Sequence, residues 1–250
     1  MRDGSLVIKS VVKAVEILET VMASPDGSTL KGLSSALGQN SSTVYHLANT
    51  LRQTGLLQQD PETKAYRLGL KAFQIGQAAV QHLDLARRAQ PFMRQLAQET
   101  GEGVSLVQYD SGRPVYVCHF DSTRTIGMRH RPSANIPLHA TGSGKIYLSS
   151  LPDDGLQRTI PTLPLTVLTP ATITDPERLM EEIRRVREQG YAIDNEEVEE
   201  GLVCIAAPIR NLDGKVIGSI SLSGPSIRVL HQREDLISRI CGTAQAVSYQ

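Results

Sequence analysis

Residues 30–69 read LKGLSSALGQNSSTVYHLANTLRQTGLLQQDPETKAYRLG, and the reading of this stretch decides the fold of the N-terminal third. Leu30, Leu33, Ala36 and Leu37 recur at helical spacing and make one apolar face. Gly38 ends that helix, because glycine enters the left-handed conformation of a helix C-terminus without a Cβ penalty. The polar run Asn40-Ser41-Ser42-Thr43 then opens a second helix whose inward set is Val44, Leu47, Ala48 and Leu51, closed by Gly55. Two short helices joined by a turn of about four residues have the spacing of a helix-turn-helix.

The outward face of the second helix carries Ser41, Ser42, Thr43, Tyr45, His46, Asn49, Arg52 and Gln53. All can form hydrogen bonds to phosphates or base edges, and none is acidic. The alternative is an ordinary solvated face, which more often mixes in Asp or Glu. Leu56–Gln59 and Ala65–Leu68 read as short strands around the turn Asp60-Pro61-Glu62-Thr63, a hairpin placed as a wing beside the DNA. Lys64 and Arg67 are its candidate phosphate contacts; Arg67 has the alternative of pairing with Glu62 or Asp60 across the hairpin. Upstream, Ser10 is placed to cap a helix with Val11, Ala14, Val15, Leu18 and Met22 inward, and Ser24-Pro25-Asp26-Gly27 ends it.

Working outward, 250 residues suffice for two modest domains. A hydrophobic content of 40% with 21% charged residues fits an ordinary globular protein. Net charge is zero, but residues 1–90 carry 10 Lys/Arg against 7 Asp/Glu (+3), and residues 91–250 carry 16 against 19 (−3). The surplus has the right sign for a DNA-reading N-terminus. No apolar run approaches the roughly 18 residues of a membrane span, and the N-terminus lacks the continuous apolar core of a secretory signal. A cytoplasmic protein with no membrane partner is expected. Three cysteines without CxxC spacing suggest neither a disulfide framework nor a zinc module, so no metal or cofactor is expected.

Beyond the wing, residues 70–100 read as helix, with Leu70, Phe73 and Gly76 before a break near His82-Leu83. Asp84 then caps a helix carrying Leu85, Ala89, Phe92, Met93 and Leu96; Pro91 implies either a kink or a later start near Gln90. Strand patterns at Val104–Tyr109 and Val115–Phe120 flank the turn Asp110-Ser111-Gly112-Arg113. A second hairpin joins Val203–Ile209 and Val216–Ser223 through Asn211-Leu212-Asp213-Gly214. Helices are expected at Ser143–Ser150, Pro176–Gln189 and from Leu230 to about Val247. Antiparallel hairpins with helices packed on the sheet give an α+β domain.

Gly142-Ser143-Gly144 precedes a helix whose first N–H groups lack intrahelical partners, a place for a carboxylate. The stretch ATGSGK fails as a phosphate loop, having His139 where glycine is needed and Ile146 where Ser or Thr is needed. Ser219, Ser221 and Ser223 alternate, and so share one face of their strand.

The chain resembles the IclR family of bacterial transcription regulators. The resemblance rests on Ser10-Val11-x-x-Ala14, Ser41-Ser42-Thr43-Val44, Gly55-Leu56-Leu57 and Tyr66-Arg67-Leu68-Gly69. It continues through Pro137–Lys145 (PLHATGSGK), Gly190-Tyr191-Ala192-x-Asp194, Gly201-x-x-Cys204-x-Ala206-x-Pro208 and Ser221-x-Ser223-Gly224-Pro225. It implies a winged helix-turn-helix DNA-binding domain over residues 1–69, a connecting helix over 70–84 and a GAF-like effector-binding domain over 85–250. It also implies a homodimer, or a dimer of dimers, on pseudo-palindromic double-stranded operator DNA, with repression favoured over activation. His46 stands where the family's recognition helix commonly carries Arg, so a base preference is not carried over.

The same resemblance places Asp194, Cys204, Ser221 and Ser223 in the pocket for a small-molecule effector, with the Gly142 and Ser143 amides leaning towards a carboxylate. Met128, Ile136 and Leu202 either close its apolar side or are plain core. Ser223 also suits the turn before Gly224-Pro225, Cys204 an inert core thiol, and Asp194 a cap for the loop Glu196–Glu200, whose glutamates read as a solvated surface. No GxSxG elbow, HExxH, dinucleotide fingerprint or paired-carboxylate arrangement is present, so enzymatic activity is not expected.

Overall fold

A computed structural model describes residues 7–81, 84–110, 113–128 and 136–248, which fall into two compact units divided between His82 and Leu83. The expected break at His82-Leu83 and the middle of the 110–113 turn lie outside the described residues.

The N-terminal unit packs α1 (Lys9–Met22), α2 (Leu30–Leu37) and α3 (Ser41–Gln53) against a hairpin of β1 (Leu57–Gln59) and β2 (Tyr66–Leu68). Local chemistry sets each boundary. Thr29 Oγ1 accepts from Gly32 N to start α2, and Gly38 ends it at φ +59°. Asn40 Oδ1 accepts from Ser42 N to start α3. The strands pair as Leu57↔Leu68, Gln58↔Arg67 and Gln59↔Tyr66. Gly69 is required where the wing ends, since a Cβ there would lie 2.2 Å from the Gly55 carbonyl oxygen. The core joins Ile17, Val21, Leu33, Val44, Ala48, Leu51, Leu57 and Tyr66. Burial of each large aliphatic chain contributes about 1.5–3 kcal/mol.

Helix α1 departs from the sequence expectation in phase. It begins at Lys9 after Ile8, without a side-chain cap, so Ser10 lies inside it. Ile17 and Val21 are buried, Ala14 and Leu18 pack beside them, and Val11, Val15 and Met22 are exposed. Apolar residues surround much of this helix, and packing against α2 and α3 selected the Ile17/Val21 side. Helix α4 (Leu70–Gln81) completes the unit and leaves Leu70 and Phe73 exposed.

The C-terminal unit is built on a five-stranded antiparallel sheet of order β4-β3-β7-β6-β5. Its strands are β3 (Gly103–Asp110), β4 (Arg113–Phe120), β5 (Ala192–Asn195), β6 (Leu202–Arg210) and β7 (Val216–Pro225). The short edge strand β5 carries no clear periodic signal of its own. On one face Val104, Leu106, Val203, Ile205, Ile220 and Leu222 form the main core with α5 (Asp84–Thr100) and α10 (Arg233–Val247). Pro91 sits inside a helix that runs from Asp84, and Phe92, expected inward, is at the surface. The last expected helix is two, α9 (Ser226–His231) and α10, parted at Gln232.

The opposite face carries α6 (Gly142–Ser150), which meets β5, β6 and β7, and α8 (Pro176–Gln189), which packs on α6. Helix α7 (Asp153–Thr159) contributes Leu156 to a small core with Leu148, Leu179 and Ile183. The β3–β4 ladder pairs Leu106 with Cys118 but Val107 with Tyr116, leaving Val117 as an extra residue in a bulge.

Candidate DNA-reading and effector sites

In the N-terminal unit, the backbone phase that buries Val44, Ala48 and Leu51 turns Ser41, Ser42, Thr43, Tyr45, His46 and Arg52 to the surface. Asn49 is half-buried, and its Oδ1 accepts from Arg52 Nη2 at 3.0 Å. Tyr45 and His46 stand edge to face, centroids 5.7 Å apart. At the wing, Asp60 Oδ1 accepts from the amides of Glu62 and Thr63, and these bonds, that from Thr63 first, hold its carboxyl below the usual range. Lys64 takes φ +56°, and its ammonium turns back onto the Pro61 carbonyl at 2.7 Å. Arg67 pairs by hydrogen bond with neither Glu62 nor Asp60; its Nε donates to the Asp26 carbonyl at 3.4 Å.

In the C-terminal unit, the α6 face of the sheet is polar where the α5/α10 face is aliphatic. Register aligns three rows across it. Asp194, Cys204, Ser223 and Gly103 form one; Ala192, Ala206, Ser221, Ser105 and His119 the next; Pro208, Ser219, Val107 and Tyr116 the third. Asp194, Ser105, Ser219, Ser221 and Ser223 are buried. Leu202 precedes Cys204 on the same face of β6, while Met128 and Ile136 are half-buried. Met128 contributes its carbonyl near Gly103, 3.7 Å from where a Cβ would stand.

Helix α6 points its N-terminus at this face. Thr141 Oγ1 accepts from Gly144 N at 3.0 Å, while the N–H groups of Gly142 and Ser143 meet no acceptor among the described residues. The glycines answer to packing. A Cβ on Gly142 would stand 3.1 Å from that of Ala206, and one on Gly144 would stand 2.6 Å from Leu138 Cα. Close seating of α6 on β6 at Gly142 and on the preceding turn at Gly144 explains the phosphate-loop-like sequence without a phosphate.

The hydrogen-bond network extends beyond the residues expected from sequence. Cys204 Sγ and Ser223 Oγ are hydrogen-bonded at 2.7 Å. Tyr109 donates to the Ser143 carbonyl at 2.9 Å and lies 3.1 Å from Ser219 Oγ. His119 bonds Asp121 through Nε2 at 3.2 Å and Ser105 Oγ through Nδ1 at 2.9 Å. A carboxylate only accepts, so Nε2 carries the proton and Ser105 donates to Nδ1. Burial lowers the His119 pKa, opposed by Asp121, and keeps the ring neutral at pH 7.

Asp194 takes the expected capping role and stands on the polar face. Its Oδ1 accepts from Glu197 N at 2.8 Å and Val198 N at 3.3 Å, capping the loop, while its carboxyl lies in the polar row. Burial raises its pKa to about 7, against the amide bonds and Lys145 and with help from Glu197. Burial likewise raises the Cys204 thiol and pushes Tyr116 up to about 12. The loop after β5 is a correction to the sequence reading: Glu197 is buried, not solvated. Lys145, fully buried, donates to Glu197 Oε1 at 2.5 Å, the Ile193 carbonyl at 2.8 Å and Glu182 Oε1 at 3.5 Å.

Ser105, Tyr109, Tyr116, His119, Lys145, Glu197 and Ser219 thus surround or support this face without having been singled out as site residues. Only the alternating serines of β7 announced it; the others meet through pairing between distant segments. Among the described residues no cluster of three or more His, Cys, Asp and Glu is arranged for a metal, and no helix is long and apolar enough to cross a membrane.

Comparison with known proteins covers both units. The profile of the IclR helix-turn-helix domain matches residues 10–61, and that of the "Bacterial transcriptional regulator IclR C-terminal" matches residues 77–249. The HTH-type transcriptional regulator KdgR of Escherichia coli is 34% identical over 97% of this chain and 92% of its own. The HTH-type transcriptional repressor AllR of Escherichia coli is 31% identical over 90% and 83%. An IclR homolog from Microbacterium hydrocarbonoxydans, solved in complex with 4-hydroxybenzoate, superposes with a TM-score of 0.79 at 22% identity, over 96% of this chain and 97% of that one.

Proposed function

This chain belongs to the IclR family of transcriptional regulators, and from that premise we propose that it is a cytoplasmic, effector-controlled repressor of transcription. The N-terminal unit reads double-stranded operator DNA through the acid-free face of α3. Asn49 and Tyr45 reach base edges, Ser41, Ser42 and Thr43 meet phosphates at the helix N-terminus, and Arg52, Lys64 and Arg67 flank them. His46 occupies the centre of this face. Repression is the favoured sign because a relative of comparable length is named a repressor.

The C-terminal unit binds a small organic effector on the α6 face of its sheet. The observation that carries this reading is the row Asp194–Cys204–Ser223, its ends buried and Cys204 half-buried, beside buried Ser221 and the two amides at the start of α6 that meet no acceptor among the described residues. The small molecule bound by the Microbacterium homolog supports an organic ligand for this fold. Residues 1–69, 70–84 and 85–250 serve as reader, connector and sensor, and a homodimer or dimer of dimers presents paired α3 helices to a pseudo-palindromic site. The effector changes operator affinity by binding two states of the protein unequally.

A footprint of the purified protein on the DNA upstream of its own gene, with and without a panel of small acids, tests this. A protected pseudo-palindrome that one acid releases is expected. Protection that no member of the panel alters would remove the sensor half of the reading.

A further inference from the structure

Helix α9, which follows β7, gives only Val229 to the core of the C-terminal unit. Ile227 is 82% exposed, the most exposed large apolar side chain among the described residues, and Leu230, one turn on, is exposed as well. Arg228 Nη2 donates to the Ile126 carbonyl at 2.8 Å, which brings Ile126, itself 71% exposed, beside the same helix. Single exposed aliphatic side chains are ordinary, whereas several gathered around one short helix mark a contact surface. The charges around Ile227 are sorted by sign. On one side, Arg228 grips buried Glu102 through Nε at 2.6 Å and Nη2 at 2.9 Å, and Arg124 approaches the same carboxylate at 3.7 Å. Two cations share one carboxylate there, so positive charge is left over. On the other side, Ser226 N donates to the Gly201 carbonyl at 2.8 Å and lays the end of the Glu196–Glu200 loop against the start of α9. Glu196 takes hydrogen bonds from the Gly201 amide and the Ser226 hydroxyl, and Glu199 is exposed.

We propose that the α9 face of the C-terminal unit docks a second copy of this chain about a two-fold axis that passes at Ile227. This rests on the homo-oligomeric reading given above and adds the surface that joins the copies. A two-fold contact sets a surface against itself after half a turn. A patch with cations on one side of the axis and carboxylates on the other therefore meets its own complement. The Ile227 side chains of the two copies pack on one another at the centre. Arg124 and Arg228 of each copy then face Glu196 and Glu199 of the other. The apolar centre supplies affinity, and the charges fix orientation and reject wrong partners. A polyanion such as nucleic acid would meet the acidic loop, and a basic partner would meet the two arginines. A second copy carries both signs in the order that this surface needs.

The test uses the full-length protein. In sedimentation equilibrium, Ile227→Glu is expected to give half the wild-type mass with an unchanged melting temperature, because the side chain lies outside the core. Glu199→Lys is expected to raise the dissociation constant of that step about three- to tenfold at about 0.1 M salt, and less at about 0.5 M, where exposed charges are screened. Ile227→Cys places a thiol on the axis, so oxidation with copper phenanthroline is expected to join two copies through a disulfide. Leu212→Cys, at a position 72% exposed in the β6–β7 turn, measures the background from collision and from the native cysteines. Wild-type mass in Ile227→Glu, or cross-linking of Ile227→Cys no faster than that of Leu212→Cys, would overturn the proposal while leaving an oligomer built on another surface. Indifference of the mass to Glu199→Lys would remove the charge pairing, and with it the choice of a second copy as the occupant. A wild type that sediments as a single chain would overturn the proposal together with the homo-oligomeric reading.

Discussion

Lys145 on α6 and Glu197 in the loop after β5 form an ion pair with both side chains inside the protein, so the helix that faces the polar sheet and the loop capped by Asp194 are held by one buried contact. The Lys145 side chain is 1% exposed and that of Glu197 7%. Burial raises the Glu197 pKa, and Lys145 draws it back down; the second oxygen, Oε2, has no hydrogen-bond partner among the described residues.

Removing Lys145 takes from buried Glu197 its cation, and removing Glu197 leaves buried Lys145 with the longer contact to Glu182, 3.5 Å, alone. Lys145→Met and Glu197→Gln are each expected to cost about 3–5 kcal/mol in urea denaturation. The double variant Lys145→Met/Glu197→Met is expected to cost clearly less than the sum. Additive losses would show that the two side chains act independently.

Asp194 gives a pH signature of its own. Its folded pKa is raised, so the stability it contributes is fully present below the unfolded value near 4 and is lost as pH rises to about 7. Relative to Asp194→Asn, the wild type should lose on the order of 4 kcal/mol between pH 4 and pH 7 and little above. Melting curves of both proteins across that range decide it; parallel curves would place the carboxyl in an ordinary solvated setting.

On α3, Arg52→Ala and Asn49→Ala should separate charge from base reading. Loss of Arg52 at a phosphate should lower the slope of log affinity against log salt by about 0.9. Asn49→Ala should cost about 1–3 kcal/mol on the operator with little effect on unrelated DNA. Fluorescence anisotropy at several salt concentrations distinguishes the two. Because Arg52 also holds Asn49 in place, the double variant should fall short of additivity.

Ser221→Ala and Ser223→Ala each remove one hydroxyl from the α6 face. Each is expected to weaken effector binding by about 0.5–1.5 kcal/mol, roughly two- to tenfold, in calorimetric titration. Unchanged affinity in both would place the ligand elsewhere.

Gly144→Ala pushes a methyl group against the Leu138 backbone, which cannot swing aside as a side chain can. A loss of about 1–3 kcal/mol is expected in thermal unfolding. A variant as stable as the wild type would mean that the turn at Leu138 can draw back from α6.

The helix-turn-helix was legible because its determinants are local: the polar opening at Asn40, Gly38 between helices and the period that buries Val44, Ala48 and Leu51. The phase of α1 was not, since Val11, Val15 and Met22 are as apolar as the buried Ile17 and Val21, and only the packing partner chooses between them. The serines of β7 could be placed on one face by alternation, but their neighbours could not. Ser105 meets Ser221, and Asp194 meets Cys204 and through it Ser223, by strand register that no local pattern encodes. Lys145 was visible only as part of a failed phosphate loop, because a buried lysine is intelligible only once Glu197 and Glu182 stand beside it.

The extra residue at Val117 works as a change of parity. Upstream of it in β4, side chains point to the opposite side from where strict alternation with β3 would send them, and Tyr116 joins the polar face instead of the aliphatic one. Val117 and Cys118 both pack towards the core, which is how the strand absorbs the odd residue. A one-residue deletion at Val117 would therefore be absorbed where it is made, with Cys118 still opposite Leu106 and Tyr116 still opposite Val107. Straightening the strand with all its residues kept would instead send the Tyr116 phenol into the hydrocarbon layer under α5 and take an aromatic wall from the α6 face, exchanging inside for outside without altering a letter of the sequence.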